Sequence, residues 1–131
     1  MLVILTIITG LLCWAIYRYS FFIPATNGLP ILMYHSISEN RTDNITMTVQ
    51  MFAKQMEYLK KNNYSTISFA ELDNHLNKGL KLPVKPIIIT FDDGYLNNYD
   101  MALPVLNKLG FKATVFLTPG YIGKINEWDA G

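Results

Sequence analysis

The sequence predicts an α/β fold built on parallel strands, and three observations predict it. Short apolar, β-rich runs alternate with stretches of helical periodicity from residue 29 onward. One run, Ile87 to Phe91 (IIITF), is continuously apolar in character, as in a strand covered on both faces of a parallel sheet. Caps and breakers such as Gly79, Pro83, Pro86 and Gly110 fall between the runs. Strands separated by helices are joined by right-handed crossovers, which gives a layered sheet or a barrel.

The first element is apolar. Met1 to Tyr17 carries no charged side chain, and apolar residues resume after Arg18 at Phe21, Phe22 and Ile23. A bilayer-spanning helix needs about 20 such residues, and Trp14, Tyr17 and Tyr19 fall where rings can sit at headgroup level. Pro24 closes the run. Residues 1–24 are therefore expected to form a transmembrane or signal-anchor helix. Cleavage is not expected, because no Lys or Arg precedes position 18 and no A-x-A triplet follows. Cys13, the single cysteine, follows the bulky Leu12 and reads as a thiol among apolar neighbours; alone it excludes an internal disulfide and a Cys-based zinc site.

After a linker over 25–28, Leu29 to Ile37 reads as a buried strand that breaks into a polar loop, Ser38 to Asn44. Phe52, Met56 and Leu59 then recur four and three apart, the spacing of one helical face, within a helix from about Thr48 to Lys61. Tyr64 to Ile67 is a second strand. Ser68-x-x-Glu71 is a capping box, so a helix starts there and runs to Lys78 with Gly79 as its stop. The third strand, Ile87 to Phe91, ends at Asp92-Asp93-Gly94. Ala102 to Leu109 reads as a helix with Pro104 in its first turn, Ala113 to Leu117 as a fourth strand, and Thr118 to Gly131 as loop.

Composition narrows the function. With 11 basic and 10 acidic side chains among 131 residues and no basic run, the chain lacks the charge excess by which proteins neutralise phosphates, so no nucleic-acid partner is expected. A mean hydropathy of +0.18 excludes a disordered chain.

The chemistry concentrates at one place. In parallel α/β folds reactive groups collect at the carboxyl ends of strands, and Thr90-Phe-Asp-Asp-Gly-Tyr95 puts two adjacent carboxylates at such an end. Two neighbouring aspartates repel, so keeping both ionised in a recess calls for a nearby cation, most simply a metal ion. Gly94 permits a turn that lets both side chains approach one point. On these residues alone, an ordinary Asp-Asp-Gly turn is the favoured reading.

The string TFDDGY, preceded by PIIIT and followed by a helix and KATVFLTPG, resembles the first motif of the polysaccharide deacetylase family with the NodB-type domain, carbohydrate esterase family 4. The segments PILMYHSIS and MFAKQMEYLKKNNYSTISFAEL look like the front of its membrane-anchored or secreted members acting on poly-N-acetylglucosamine. The resemblance covers about residues 29 to 131. It implies the N-terminal part of a distorted (β/α) barrel over residues 25–131, incomplete and preceded by the hydrophobic anchor helix. It also implies hydrolysis of N-acetyl or O-acetyl groups on a cell-surface carbohydrate. Asp92 maps to the family's general base and Asp93 to a ligand of a divalent metal, commonly Zn2+. His35 and Tyr95 are candidates to contact an acetylated polysaccharide, His35 because it shares a strand-end rim with Asp92. A sugar-polymer substrate would place the domain outside the cell membrane on a single-pass anchor.

The departures count too. The family completes its metal site with H-[S/T]-x-x-H and adds an R-x-P-Y type segment and a later histidine, yet no histidine follows Asp93 here. One carboxylate with waters binds zinc far more weakly than three protein ligands. The 131 residues alone are therefore expected to be inactive, and a fragment or truncated product is inferred. An inactive membrane-tethered remnant or a carbohydrate-binding module is the alternative. An aspartyl-nucleophile phosphatase fails, since its nucleophile would fall at Phe91. His75 reads as a solvated helix residue, and N-x-[S/T] strings begin at Asn40, Asn44 and Asn63.

Overall fold

The computed structural model describes residues 2–19, 28–40 and 43–123 of the protein. Helix α1 (Leu2–Tyr19) is 18 residues long, with Arg18 in its last turn. Among the described residues no helix is long and apolar enough to cross a membrane. At about 1.5 Å per residue, 18 residues reach about 27 Å, short of a hydrocarbon core of about 30 Å. The expected span also counted on Phe21, Phe22 and Ile23, which, like Pro24, lie outside the described residues. The transmembrane anchor and the cell-membrane localisation built on it are corrected accordingly. Cys13 is exposed on this helix, not buried among neighbours.

The strand expected from Leu29 to Ile37 divides into two that join different sheets. β1 (Ile31–Tyr34) enters a four-stranded sheet, while β2 (Ser36–Ser38) pairs in parallel with β3 (Thr46–Thr48). His35 is the single residue between them. β3 is set up by Asp43, whose Oδ1 accepts from the N–H groups of Ile45 and Thr46 at 3.0 and 2.7 Å, a side-chain turn leading straight into the strand.

The helices follow their caps. Thr48 accepts from the Met51 N–H at 3.2 Å and opens α2 (Val49–Lys61), which buries Phe52, Met56 and Leu59 as their spacing demands. After β4 (Ser65–Thr66), α3 (Phe69–Lys78) starts at the complete Ser68–Glu71 capping box and stops at Gly79, whose φ of 68° is left-handed. The last helix, α4 (Leu103–Leu109), has Pro104 in its first turn and ends at Gly110 with φ of 67°. A π-helical turn, Asn98–Ala102, precedes it, over residues to which, before Ala102, the sequence reading assigned no element.

β5 (Pro86–Phe91) is the centre of the sheet. Along one flank it pairs with β1, from Ile31↔Ile88 to Tyr34↔Phe91. Along the other it meets β4 at its start (Ser65↔Pro86) and β6 (Thr114–Val115) at its end (Thr90↔Thr114), all in parallel. Ile88 and Ile89 are both wholly buried, confirming cover on both faces. The alternate residues Ile87, Ile89 and Phe91 join Tyr34, Phe52, Met56 and Leu106 in the core under α2 and α4. There the rings of Tyr34, Phe52 and Phe91 meet at centroid distances of 5.1, 5.6 and 5.8 Å. The fold is thus α/β with parallel strands as expected. Among the described residues the strands form a four-stranded sheet and a separate two-stranded pair. Of the expected 118–131 loop, Pro119–Tyr121 is a 3-10 turn and 124–131 lie outside the described residues.

Candidate active site

Because Tyr34 and Phe91 are register partners, the chain leaves β1 and β5 side by side, and His35 and Asp92 are the first residues past the two ends. The Asp92 N–H donates to the Tyr34 carbonyl at 2.8 Å and holds the ends together. Tyr34 and Phe91 point into the helix-covered core, so the pleat turns the following positions toward the opposite face.

Past Asp92 the backbone turns sharply. Asp93 and Gly94 are both left-handed, each with φ of 68°. Gly94 was expected to supply the turn, but Asp93 shares the strained conformation, which aspartate tolerates better than most side chains. A Cβ on Gly94 would lie 2.7 Å from Leu117 Cδ2, so the turn packs against the exit of β6. From that exit Thr118 Oγ1 donates weakly to Asp93 Oδ1 at 3.4 Å. Three strand ends therefore converge on the two aspartates.

Asp92 Oδ1 is buried and has no hydrogen-bond partner. A buried carboxylate oxygen left unpaired is costly, and sites tolerate one where a cation, a proton donor or a substrate completes it. That fits a carboxylate left open to a water or substrate proton beside a metal site. The remainder is not supplied: among the described residues no three His, Cys, Asp or Glu side chains are grouped to hold an ion.

The other candidates separate. His35 lines a cavity of about 340 Å³ with Met33, Ser36, Asp43 and Met51. Tyr95 is buried and lines a different cavity, about 550 Å³, on the helix side of β5 with Phe91, Leu106 and Phe111. His75 is exposed, and its Nδ1 lies 2.6 Å from the Leu80 carbonyl, bridging α3 to the chain beyond it. Beneath the rim the Tyr34 hydroxyl donates to Gln55 Oε1 at 2.6 Å, and burial pushes its phenol up to about 12. Of the N-x-[S/T] strings, the one at Asn40 runs outside the described residues, and Asn63 is a turn residue with φ of 62°.

Two residues escape the sequence reading. The Asn97 carboxamide bonds to Ile37 and Ser36, and Asn98, buried at 7% exposure, has both amide atoms unpaired. The signal was the pair of amides placed directly after DDGYL.

Residues 79–129 match the family model described as polysaccharide deacetylase. The chain is a relative of the polysaccharide deacetylases. YxkH of Bacillus subtilis, whose name assigns it to these deacetylases, is 43% identical over 95 residues, covering 72% of this chain and 33% of that protein. The poly-β-1,6-N-acetyl-D-glucosamine N-deacetylase of Escherichia coli K12 is 30% identical over 89 residues, 66% of this chain and 13% of the enzyme. A solved deacetylase, PplD of Streptococcus pyogenes in complex with acetate, superposes with a TM-score of 0.64 at 30% identity, covering 72% of this chain and 45% of that one. The chain thus spans a third or less of the length of these two curated deacetylases. The TFDDGY turn falls inside the stretch that the deacetylase family model matches.

Proposed function

We propose that this chain forms the front of a metal-dependent polysaccharide deacetylase, with residues 25–131 as the opening part of a NodB-type distorted barrel. The substrate class is an acetylated polysaccharide, favoured as an N-acetylglucosamine polymer by the relative that bears that activity in its name. The observation that carries the reading is the buried, unpartnered Oδ1 of Asp92 at the end of β5, beside Asp93 in its left-handed turn.

In this reading Asp93 is a metal ligand, and a divalent ion, zinc in the family, would when bound polarise the acetyl carbonyl and acidify a water. Asp92 then serves as general base. Its free oxygen takes a proton as water adds to the acetyl carbon and returns that proton to the nitrogen as the C–N bond breaks, so that acetate and a free amine result. His35, one residue past β1, meets the sugar at the rim. For Tyr95 burial favours packing beneath the turn.

The test is acetate release from N-acetylglucosamine oligomers with added zinc, in a polypeptide that carries this chain together with an H-[S/T]-x-x-H segment. Asp92→Asn should abolish release and preserve metal binding; unchanged turnover would overturn the base assignment. Asp93→Ala should weaken zinc affinity, read by calorimetry, and an untouched affinity would remove it as a ligand. Sugar binding that persists without any acetate release would favour the carbohydrate-binding alternative, which the lack of a three-donor group among the described residues keeps in view.

A further inference from the structure

We propose that Asn97 is a positioning residue, the group that fixes His35 against the Asp92–Asp93 turn. His35 belongs to neither neighbouring strand: β1 ends at Tyr34 in one sheet and β2 begins at Ser36 in another. The Ser36 N–H donates to the Ile45 carbonyl at 3.2 Å, but His35 itself pairs in neither ladder. The loop carrying the aspartates adds bonds on both sides of it. On one side the Asp92 N–H holds the Tyr34 carbonyl at 2.8 Å. On the other, Asn97 Oδ1 accepts from the Ile37 N–H at 3.1 Å while Nδ2 donates to Ser36 Oγ at 2.9 Å.

The chemistry requires an acceptor facing Ile37 and a second polar atom facing Ser36, and the carboxamide supplies both. A backbone N–H only donates, so Ile37 fixes which end of the carboxamide faces it, and the other end is left to donate to the hydroxyl. Ile37 and Ser36 are buried at 0% and 6% exposure, so water does not readily replace the lost partner. Asn98, the adjacent amide, makes no such bonds. The clamp joins residues 60 and 61 positions apart, and it ties the rim of β1 to the turn through one side chain.

The catalytic significance of the clamp rests on the deacetylase reading, through His35 meeting the sugar; its existence does not. The first readout is amide hydrogen exchange in the full chain, Ile37 measured against the Phe111 N–H, which is held by the distant Leu106 carbonyl at 2.9 Å. Asn97→Ala should speed Ile37 exchange relative to Phe111 by about tenfold or more, the loss of a buried hydrogen bond. Asn97→Asp should restore protection, because a carboxylate still accepts from Ile37 and the Ser36 hydroxyl can turn to donate. Should the alanine variant not fold, Asn97→Gln, one methylene too long, is expected to deprotect Ile37 in the same way. An unchanged exchange ratio, or an aspartate variant as deprotected as alanine, overturns the clamp. The second readout is acetate release under the conditions of the preceding test. Asn97→Ala should lose about 10²-fold in kcat/KM, as for a misplacement of order 1 Å, and Asn97→Asp should recover most of it. If the parent releases no acetate, the deacetylase reading falls and the exchange ratio alone decides the clamp.

Discussion

Asp93 and Gly94 occupy the same left-handed conformation, with φ of 68° at each, yet only one of them is free of strain. A non-glycine residue there gives up about 1 kcal/mol, and such outliers persist where a site needs the side chain. Opposite outcomes follow for the two positions. Asp93→Gly should raise stability by up to about 1 kcal/mol in denaturant unfolding while zinc affinity drops. Gly94→Ala should lower stability by about 1–2 kcal/mol. The 2.7 Å approach to Leu117 Cδ2 adds little to that figure, because Leu117 is 62% exposed and its side chain can swing away. Equal effects of the two substitutions would contradict this account. At this scale the aspartates were legible because the motif is compact and local. Asn97 was not, since its partners lie 60 and 61 positions away and no local pattern announces them.

Elements were legible where their ends carry their own chemistry. The Ser68–Glu71 box and Gly79 bound α3 where the sequence places them, because caps satisfy backbone groups within a turn of themselves. The β1–β2 break was not legible. The largely apolar run from Leu29 to Ile37 points to a strand but not to which strand lies alongside: the partner changes at His35, and Ile31 and Met33 of the expected buried strand are exposed. The capping box also carries a pH signature. The Ser68 N–H, at 2.7 Å, and then Lys112, at 3.0 Å, draw the Glu71 carboxyl from 4.5 down to about 2. A depressed folded value means the stabilisation is complete above about pH 4.5 and is lost as pH falls toward 2. Glu71 is 44% exposed, so solvent screens much of the effect. Glu71→Gln should lower the thermal midpoint at neutral pH, and the gap to the parent should close by pH 2. A gap independent of pH would assign the effect to the hydrogen bond alone.

For the whole molecule, Phe52 is the side chain that ties the helical layer to the sheet. It is fully buried, and its ring meets both Tyr34 of β1 and Phe91 of β5. Phe52→Ala should destabilise by about 3–5 kcal/mol, a large share of a small domain's stability, and calorimetry should show the transition broadened or gone. A shift of only a few degrees would mean another residue bears the layer contact. Fold class was legible at this scale from the alternation of strands and helices; the membrane span was not, because apolar composition does not fix where a helix ends. The clamp also has a bearing on synthesis. Ile37 leaves the ribosome 60 residues before Asn97, and at about 5–20 residues per second that is a delay of roughly 3–12 s. For most of that interval the nascent β1 and the His35 junction have neither β5 nor the amide to hold them. The rim is among the first parts of this sheet to be made and among the last to acquire its shape.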